Sequence, residues 1–258
     1  MMNLIEGKKI YFISDLHLGT PDAASSSMRE KNFVQWISAA SKDAAEIFIV
    51  GDLFDFWHEY KTVVPKGFVR AQAAIANAAD KGIKISLFTG NHDMWQKNYF
   101  ADELGVELFL EPVHRNWNDK KFFIGHGDGL GPGDHGYKFL KKVFSNPICQ
   151  FLFRWIHPDI GMKIANYFSY KSRFANGSIP AEKFLGEERE WLIQYIKNDI
   201  LPSQYFDYFV FGHRHLPIEH KIDNSIYINL GDWISYFSYA VFDGTKLELK
   251  YFKEHLEQ

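Results

Sequence analysis

The sequence predicts an α/β fold, and three observations carry that prediction. Apolar, strand-like runs alternate with helix-like segments along residues 8–93, which is typical of successive βαβ units. Residues 47–50 are four apolar residues in succession, as expected of a strand that is buried on both faces. Polar motifs directly follow five of the apolar runs, at the position where open α/β sheets bind their ligands. The predicted fold therefore has a ligand site at the carboxyl ends of its strands.

The amino-terminal part of the chain predicts three strands and two intervening helices. In order, the segments are a strand at 8–14, a helix at 28–40, a strand at 47–50, a helix at 68–80 and a strand at 83–89. A serine in the polar loop 20–27 is available to cap the first helix, and alanine content favours the second. We expect each strand to present the residue that follows it at a common edge of the sheet.

The second part of the chain predicts a hairpin, a helical insertion and five further strands. Residues 113–117 and 121–125 flank the turn signal Asn118-Asp119. Residues 129–202 are mostly helical in pattern, and the later strands are predicted at 208–211, 218–222, 225–230, 236–242 and 247–252. We therefore expect a single domain over residues 1–258, with a helical cap insertion at about 129–202.

Composition limits the classes of function. The chain has 258 residues, 46% of them hydrophobic, and a formal net charge of −3. The acidic balance gives no reason to expect a nucleic-acid partner, and nothing indicates an obligate protein partner. The one cysteine, Cys149, suits a reducing compartment. With neither a signal-like segment nor a long apolar run in the sequence, we expect a cytoplasmic protein.

The five strand-end motifs are Asp-X-His, Gly-Asp, Gly-Asn-His-Asp, Gly-His-Gly-Asp and Gly-His-Arg-His. Their candidate metal ligands are Asp15, His17, Asp52, Asn91, His126, His213 and His215. Carboxylate, amide and imidazole ligands without a thiolate suit Mn²⁺, Fe²⁺ or Zn²⁺. Asp52 has two carboxylate oxygens, so it could bridge two ions, as in two-metal phosphoryl-transfer sites. Any one motif could instead be a turn or a helix cap, but five in this order favour a metal site.

This ordered series resembles the calcineurin-like metallophosphoesterase superfamily over nearly the whole chain. The resemblance implies a four-layer α/β (α+β) sandwich of two mixed β-sheets flanked by helices. It also implies one divalent ion held by Asp15, His17, Asp52 and His215, and a second held by Asp52, Asn91, His126 and His213. Among the metals, the resemblance favours Mn²⁺, with Fe²⁺ and Zn²⁺ as alternatives.

The same resemblance assigns roles in the reaction. A metal-activated hydroxide would attack phosphorus, and His92 would stabilise charge or protonate the leaving oxygen. Asp93 would orient His92. An alternative role for Asp93 is to cap a helix at 94–100, and both roles could hold.

The helical insertion is basic and rich in aromatic residues. Between Tyr137 and Phe174 there are seven lysines and arginines and one acid, Asp159, interleaved with aromatic and aliphatic side chains. Such a segment favours an amphiphilic anionic substrate or an anionic membrane surface. The alternative is an ordinary helical cap whose apolar side chains pack on the domain and whose charges are solvated.

Within the superfamily, the chain resembles the UDP-2,3-diacylglucosamine hydrolases of lipid A biosynthesis. The resemblance rests on residues 12–18, on His126-Gly127-Asp128 followed by Asp134 and Tyr137, and on 230–233, Leu-Gly-Asp-Trp, which is similar to a Leu-Gly-Ala-Trp segment of that family. It implies hydrolysis of the pyrophosphate of UDP-2,3-diacylglucosamine to UMP and lipid X, with the acyl chains on the cap. It also implies a peripheral position on the cytoplasmic face of the inner membrane. Asp134 and Tyr137 would contact substrate, with Lys171 and Arg173 as candidates for the diphosphate.

Two positions depart from the family pattern and keep other functions open. His92 stands where the best-known members carry arginine, and Arg214 stands where they carry threonine. A paralogue acting on another phosphodiester, nucleotide or phosphoprotein therefore remains an alternative. A non-enzymatic scaffold would be expected to lack ligands, whereas all seven are present.

Overall fold

The structure, a computed structural model, describes residues 3–133, 135–174 and 183–252, with only the backbone described for 170–174. The strands of this part are β1 (Lys9–Ile13), β2 (Ala44–Val50), β3 (Lys84–Phe88), β4 (Glu107–Phe109), β5 (Val113–Trp117), β6 (Lys120–Gly125), β7 (Tyr208–Phe211), β8 (Pro217–Ile222), β9 (Ser225–Leu230), β10 (Ser238–Phe242) and β11 (Leu247–Tyr251). They form two mixed sheets, as the superfamily resemblance implies. The three-residue β4 has no counterpart in the sequence prediction, because so short a run has no readable periodicity.

The two sheets each contain a parallel centre. The six-stranded sheet has the order β11-β10-β1-β2-β3-β4, in which β1 to β4 run parallel and β10 pairs antiparallel with β1. The five-stranded sheet has the order β5-β6-β7-β9-β8, in which β6, β7 and β9 run parallel. Parallel neighbours end at the same edge, so each sheet brings several strand-end motifs together.

Helices cover the outer faces of the sheets and also occur between β6 and β7. They are α1 (Ala23–Ala40), α2 (Val69–Asp80), α3 (Tyr99–Leu104), α4 (His135–Phe144), α5 (Pro147–Arg154), α6 (Pro158–Phe174) and α7 (Trp191–Tyr195), which continues as a π-helical turn (Ile196–Ile200). The predicted serine cap of the first helix is wrong. The helix begins at Ala23 because Asp22 accepts hydrogen bonds from the amides of Ala24 and Ser25.

Three apolar clusters lie at the three interfaces between the four layers. Phe12, Phe48 and Phe122, from both sheets, lie in the cluster between the sheets. A second cluster packs α1 and α2 on the outer face of the six-stranded sheet, and a third packs α7 on the outer face of the other. Successive strand residues alternate between clusters, as Ile47 and Phe48 do, so β2 is buried on both faces.

Helices α4 and α5 dock on the loops that follow β2 and β3. The indole Nε1 of Trp95 donates to the carbonyl oxygen of Phe144 at 2.7 Å. The ring of Phe153 lies against Phe56, His58 and Trp95, with centroid distances of 6.2, 4.9 and 4.7 Å. These helices therefore sit beside the strand-end motifs. The predicted extent of the cap, residues 129–202, stays a prediction.

Candidate metal centre

The two sheets bring the predicted ligands to one place. Asp15 and His17 follow β1, Asp52 follows β2, Asn91 follows β3, His126 follows β6, and His213 and His215 follow β7. The residues are up to 200 positions apart in the chain (215 − 15). They meet because the carboxyl ends of the parallel strands in both sheets face the same edge of the sandwich.

The ligand atoms form two groups that share one residue. Asp15, His17, Asp52 and His215 each offer an atom within 4.8 Å of the others, and so do Asp52, His126 and His213. Asn91 Oδ1 lies 3.2 Å from His126 Nε2, which places it with the second group. Asp52 belongs to both groups, as a bridging carboxylate would.

Two buried carboxylate oxygens show that the donor set fits cations. Asp15 Oδ1 and Asp52 Oδ2 are buried, and neither has a hydrogen-bond partner among the described residues. Nε2 of His215 lies 3.3 Å from the first, and Nε2 of His126 lies 3.3 Å from the second. A buried carboxylate oxygen without a partner is costly, and a divalent cation between carboxylate and imidazole removes that cost. The residues present therefore fit divalent metal ions.

The other oxygen of each carboxylate is held by the backbone. The amide of His213 donates to Asp15 Oδ2, and the amide of His92 donates to Asp52 Oδ1, both at 2.9 Å. A Cβ on Gly90 would collide with the Asp52 carboxylate, and one on Gly212 would collide with Ser14 and Asp15. Glycine in these motifs thus lets the backbone approach the ligands closely.

Five ligands have left-handed backbone conformations, which non-glycine residues rarely adopt. Their φ angles are +55° at Asp15, +45° at His17, +53° at Asp52, +65° at His213 and +54° at His215. Strained conformations of this kind cluster at functional sites, where the surrounding structure holds them. Here the strain turns each side chain from its strand end into the shared centre.

Three of the imidazoles are oriented through Nδ1. His126 Nδ1 lies 2.8 Å from the carbonyl oxygen of Val50. His17 Nδ1 lies 3.6 Å from Asp55 Oδ1, and His215 Nδ1 lies 3.3 Å from Asp232 Oδ2. An acceptor at Nδ1 selects the tautomer in which Nε2 carries the lone pair for a metal. In all three rings, Nε2 is the nitrogen that faces the carboxylates.

Neighbouring charges in the centre shift one another's pKa values. Burial opposes ionisation of Asp52, but the charges of His126 and His92 hold the pKa of Asp52 well below its usual range. Burial likewise opposes protonation of His126, yet the charge of Asp52 raises the pKa of His126 to about 10. Burial and the charge of His126 lower the pKa of His213 to about 4. The centre therefore has a negative electrostatic potential, which favours either a protonated histidine or a bound cation.

His92 lies at the rim of the centre, with its ring edge-on to His17 at a centroid distance of 4.8 Å. Its Nδ1 lies 3.1 Å from both the Asp55 carbonyl oxygen and Ser169 Oγ on α6. Ser169 Oγ also donates to Asp55 Oδ2 at 2.9 Å. A helix of the insertion therefore contacts His92 directly.

Asp93 takes a different position from the one the resemblance implies. Its carboxylate accepts hydrogen bonds from the amides of Gly90 and Phe54, at 2.8 and 3.3 Å. The alternative role as a cap of a helix at 94–100 is wrong, because the helix begins at Tyr99. The carboxylate beside His92 is that of Asp55, at 3.7 Å from Nδ1. Sequence reasoning missed Asp55, although it ends the motif that contains Asp52.

The predicted substrate residues fall partly outside the described part of the chain. Asp134 is not described, and for Lys171 and Arg173 only the backbone within α6 is. The ring centroid of Tyr137, on α4, lies 6.3 Å from that of His213. The Tyr137 hydroxyl donates to Asp128 Oδ2 at 2.7 Å. Tyr137 is thus at the edge of the centre, where a substrate contact stays a prediction.

Arg214 contacts the start of α7. Its Nε donates to Glu190 Oε2 at 3.1 Å, and its guanidinium lies over the ring of Trp191 at 5.2 Å. Both partners lie at the start of α7. The arginine at this position of the fifth motif therefore fixes the loop of His213 and His215 to a helix, and does not change the ligand set.

The helices of the insertion expose many large apolar side chains. On α4 to α6 and the turns between them, these are Phe139, Leu140, Phe144, Ile148, Phe151, Leu152, Trp155, Ile160, Ile164, Tyr167 and Phe168. Trp155 is 79% exposed and Phe151 54% exposed. Large exposed apolar surfaces are typical of interaction sites. Among the described residues, no helix has both the length and the hydropathy that crossing a bilayer requires.

Comparison with known proteins agrees with the site. The calcineurin-like phosphoesterase family model matches residues 8–217, which include all seven candidate ligands. The chain belongs to the calcineurin-like phosphoesterase family. It is a metal-dependent phosphoesterase that uses divalent metal ions, and its clustered His and Asp groups are the candidate site for them.

Curated relatives carry a more specific name than the family model does. The chain is 36% identical over 253 residues to a UDP-2,3-diacylglucosamine hydrolase of Porphyromonas gingivalis (strain ATCC BAA-308 / W83), covering 94% of this chain and 97% of the relative. It is 28% identical over 213 residues to the protein of that name from Yersinia pestis bv. Antiqua (strain Angola), covering 82% and 84%. Among solved structures, an archaeal phosphodiesterase aligns with a TM-score of 0.46 at 15% identity, covering 94% of this chain and 98% of that one.

Proposed function

We propose that this phosphoesterase hydrolyses the pyrophosphate of UDP-2,3-diacylglucosamine to UMP and lipid X. The observation that carries the proposal is that two ligand groups sharing Asp52 lie next to helices with an exposed apolar surface. A diphosphate attached to a diacylated sugar needs a phosphoryl-transfer centre and an apolar surface close together. The relatives named for this activity at 36% and 28% identity support the same substrate.

We assign one ion to Asp15, His17, Asp52 and His215, and a second to Asp52, Asn91, His126 and His213. Hard carboxylate and amide oxygens combined with imidazole suit Mn²⁺, which we propose as the native metal. When bound, the ions would activate the attacking water and offset the charge on the phosphoryl group that is transferred. The protein supplies a fixed ligand set, with imidazole rings oriented through Nδ1 and carboxylates held by backbone amides.

His92 is the residue that we propose to serve the leaving group. Its Nδ1 is placed by Asp55 and Ser169, so Nε2 is the nitrogen assigned to stabilise charge or deliver a proton to the leaving oxygen. Imidazole can transfer a proton, whereas the arginine of the best-known similar proteins would bind phosphate as a fixed cation. The chemistry at this position therefore differs while the metal centre is kept.

The insertion is proposed to hold the lipid part of the substrate and to contact the membrane surface. Lys138, Lys142, Arg154 and Lys163 lie on α4 to α6, where Phe151 on α5 and Trp155 just after α5 are exposed. Cationic and apolar side chains on one set of helices suit an anionic bilayer surface. We propose a peripheral position on the cytoplasmic face of the inner membrane, with Asp134, Tyr137, Lys171 and Arg173 as substrate contacts.

A substrate comparison tests the proposal. Purified protein supplemented with Mn²⁺ is incubated separately with UDP-2,3-diacylglucosamine, UDP-glucose and a chromogenic phosphodiester, and UMP and chromophore are quantified. Release of UMP from the acylated substrate alone is the expected result. Cleavage of the chromogenic diester without cleavage of the acylated nucleotide would leave a phosphoesterase with another substrate, the alternative that His92 keeps open.

A further inference from the structure

Of the three histidines oriented through Nδ1, His215 is the most exposed. Its side chain is 31% exposed, whereas those of His17 and His126 are 0% and 2% exposed. Packing alone therefore restrains the ring of His215 least. The partner at its Nδ1 is the carboxylate of Asp232, whose own side chain is 7% exposed.

Asp232 is itself held in one orientation. Its Oδ1 accepts hydrogen bonds from the amides of Ile234, Ser235 and Tyr236, at 3.1, 2.7 and 3.2 Å. Oδ1 is thus fully used by the turn, and Oδ2 is the oxygen that faces His215. A carboxylate fixed through one oxygen presents the other with little loss of conformational entropy.

The same turn is also hydrogen-bonded to the main chain of Asp15, which belongs to the first ligand group. The amide of Trp233 donates to the carbonyl oxygen of Asp15 at 3.1 Å. The buried ring of Trp233 packs against Trp36 in the outer cluster of the six-stranded sheet, at a centroid distance of 5.8 Å. The segment after β9 therefore links the core to both Asp15 and His215.

We propose that Asp232 is a positioning residue for the metal centre: its Oδ2 accepts the Nδ1 proton of His215 and keeps Nε2 directed at Asp15 Oδ1. Carboxylate–histidine–metal arrangements of this kind raise the basicity of the ligand and fix its tautomer. Asp232 does not itself reach the shared centre, so its effect is confined to the ion that His215 binds.

The test separates this role from that of the turn. Asp232→Asn keeps an oxygen for the three turn amides but replaces Oδ2 by a donor, which cannot accept the Nδ1 proton. Asp232→Ala removes both functions. Asp243→Asn is a matched control, because Asp243 caps the turn between β10 and β11 by accepting from Thr245 and Lys246. Mn²⁺ binding is measured by competition with a fluorescent chelator, and the thermal unfolding of the metal-free proteins is followed by circular dichroism.

We expect Asp232→Asn to weaken the binding of one Mn²⁺ ion by about 10–100-fold. The affinity for the second ion and the Tm of the metal-free protein should be unchanged. Asp232→Ala should show the same loss of affinity together with a lower Tm. The inference would be overturned if Asp232→Asn bound both Mn²⁺ ions with the Kd values of wild type. It would also be overturned if the affinity for the two ions fell equally. The inference rests on the proposed two-ion centre: wild-type protein that binds fewer than two ions would overturn both, whereas wild type and Asp232→Asn that bind two ions alike would overturn this inference alone.

Discussion

His17 Nε2 and His215 Nε2 lie 3.1 Å apart, although 198 residues separate them in the chain. The two rings are stacked at a centroid distance of 4.8 Å, and both nitrogens face the carboxylate of Asp15. Two imidazole lone pairs directed at one point repel each other unless a proton or a cation lies between them. The fold therefore holds the two rings in an arrangement that a cation between them would stabilise.

Removing the shared carboxylate should dismantle both halves of the centre. We expect Asp52→Ala to bind no more than one divalent ion per chain and to lose turnover, since Asp52 belongs to both ligand groups. Bound Mn²⁺ is counted by elemental analysis after gel filtration. Asp102→Ala, which removes an exposed carboxylate on α3, is the control and should keep two ions. Two ions in Asp52→Ala would show that Asp52 does not bridge.

The role of His92 predicts a loss of rate without a loss of metal. His92→Ala should retain its Mn²⁺ content and lose turnover by about 10²–10⁴-fold, the usual contribution of a general acid. His157→Ala, which removes an exposed histidine in the insertion, should be unchanged. The kcat for the nucleotide substrate and the metal content are measured on the same preparations. Wild-type kcat in His92→Ala would remove this residue from the mechanism.

The apolar surface of the insertion predicts a substrate-dependent effect. Phe151→Ser combined with Trp155→Ser should reduce kcat/KM for the diacylated nucleotide far more than for a soluble chromogenic phosphodiester. The two rings contact each other at a centroid distance of 6.2 Å and are largely exposed, so folding should be little affected. Val69→Ser, at an equally exposed apolar position on α2, is the control. An equal loss on both substrates would indicate ordinary packing.

A buried histidine outside the centre predicts a pH dependence of stability. Burial, and then the charges of Lys97 and Arg154, lower the pKa of His58 from 6.5 to about 4. The unfolded chain therefore binds a proton between pH 6.5 and 4 that the folded chain does not, and stability falls as pH falls through this window. The loss amounts to at most about 3 kcal/mol.

His58→Phe should reduce that acid sensitivity, since Phe can fill the site between Tyr60, Trp95 and Phe153 without titrating. Urea unfolding at pH 7 and at pH 4 measures the difference. A pH dependence in His58→Phe identical to that of wild type would contradict the assignment.

The candidate ligands could be picked out from the sequence because each motif directly follows an apolar strand, and their binding of metal stays a prediction. Asp55 and Asp232 were harder to find, since their roles depend on contacts with His17, His92 and His215 across the fold. No local pattern records such contacts. Asp232 stands at the position that alanine occupies in the similar Leu-Gly-Ala-Trp segment. Only the geometry therefore shows its partner.

The role of Asp93 shows the opposite error. Adjacency to His92 in the motif suggested a direct contact, but the chain turns between the two residues. The Asp93 carboxylate instead accepts from the amides of Gly90 and Phe54, and burial with the charge of Asp52 raises the pKa of Asp93 to about 7. Adjacent residues need not point the same way, because even in a regular strand successive side chains face opposite sides.

The most direct test of the account is a Mn²⁺ titration of chelator-treated protein in which bound ions and UMP release from UDP-2,3-diacylglucosamine are measured on the same samples. We predict that two ions bind per chain and that UMP release rises with occupancy of the second. UMP release that is complete with one ion, or undiminished without any, would contradict the shared Asp52 centre as the site of the reaction.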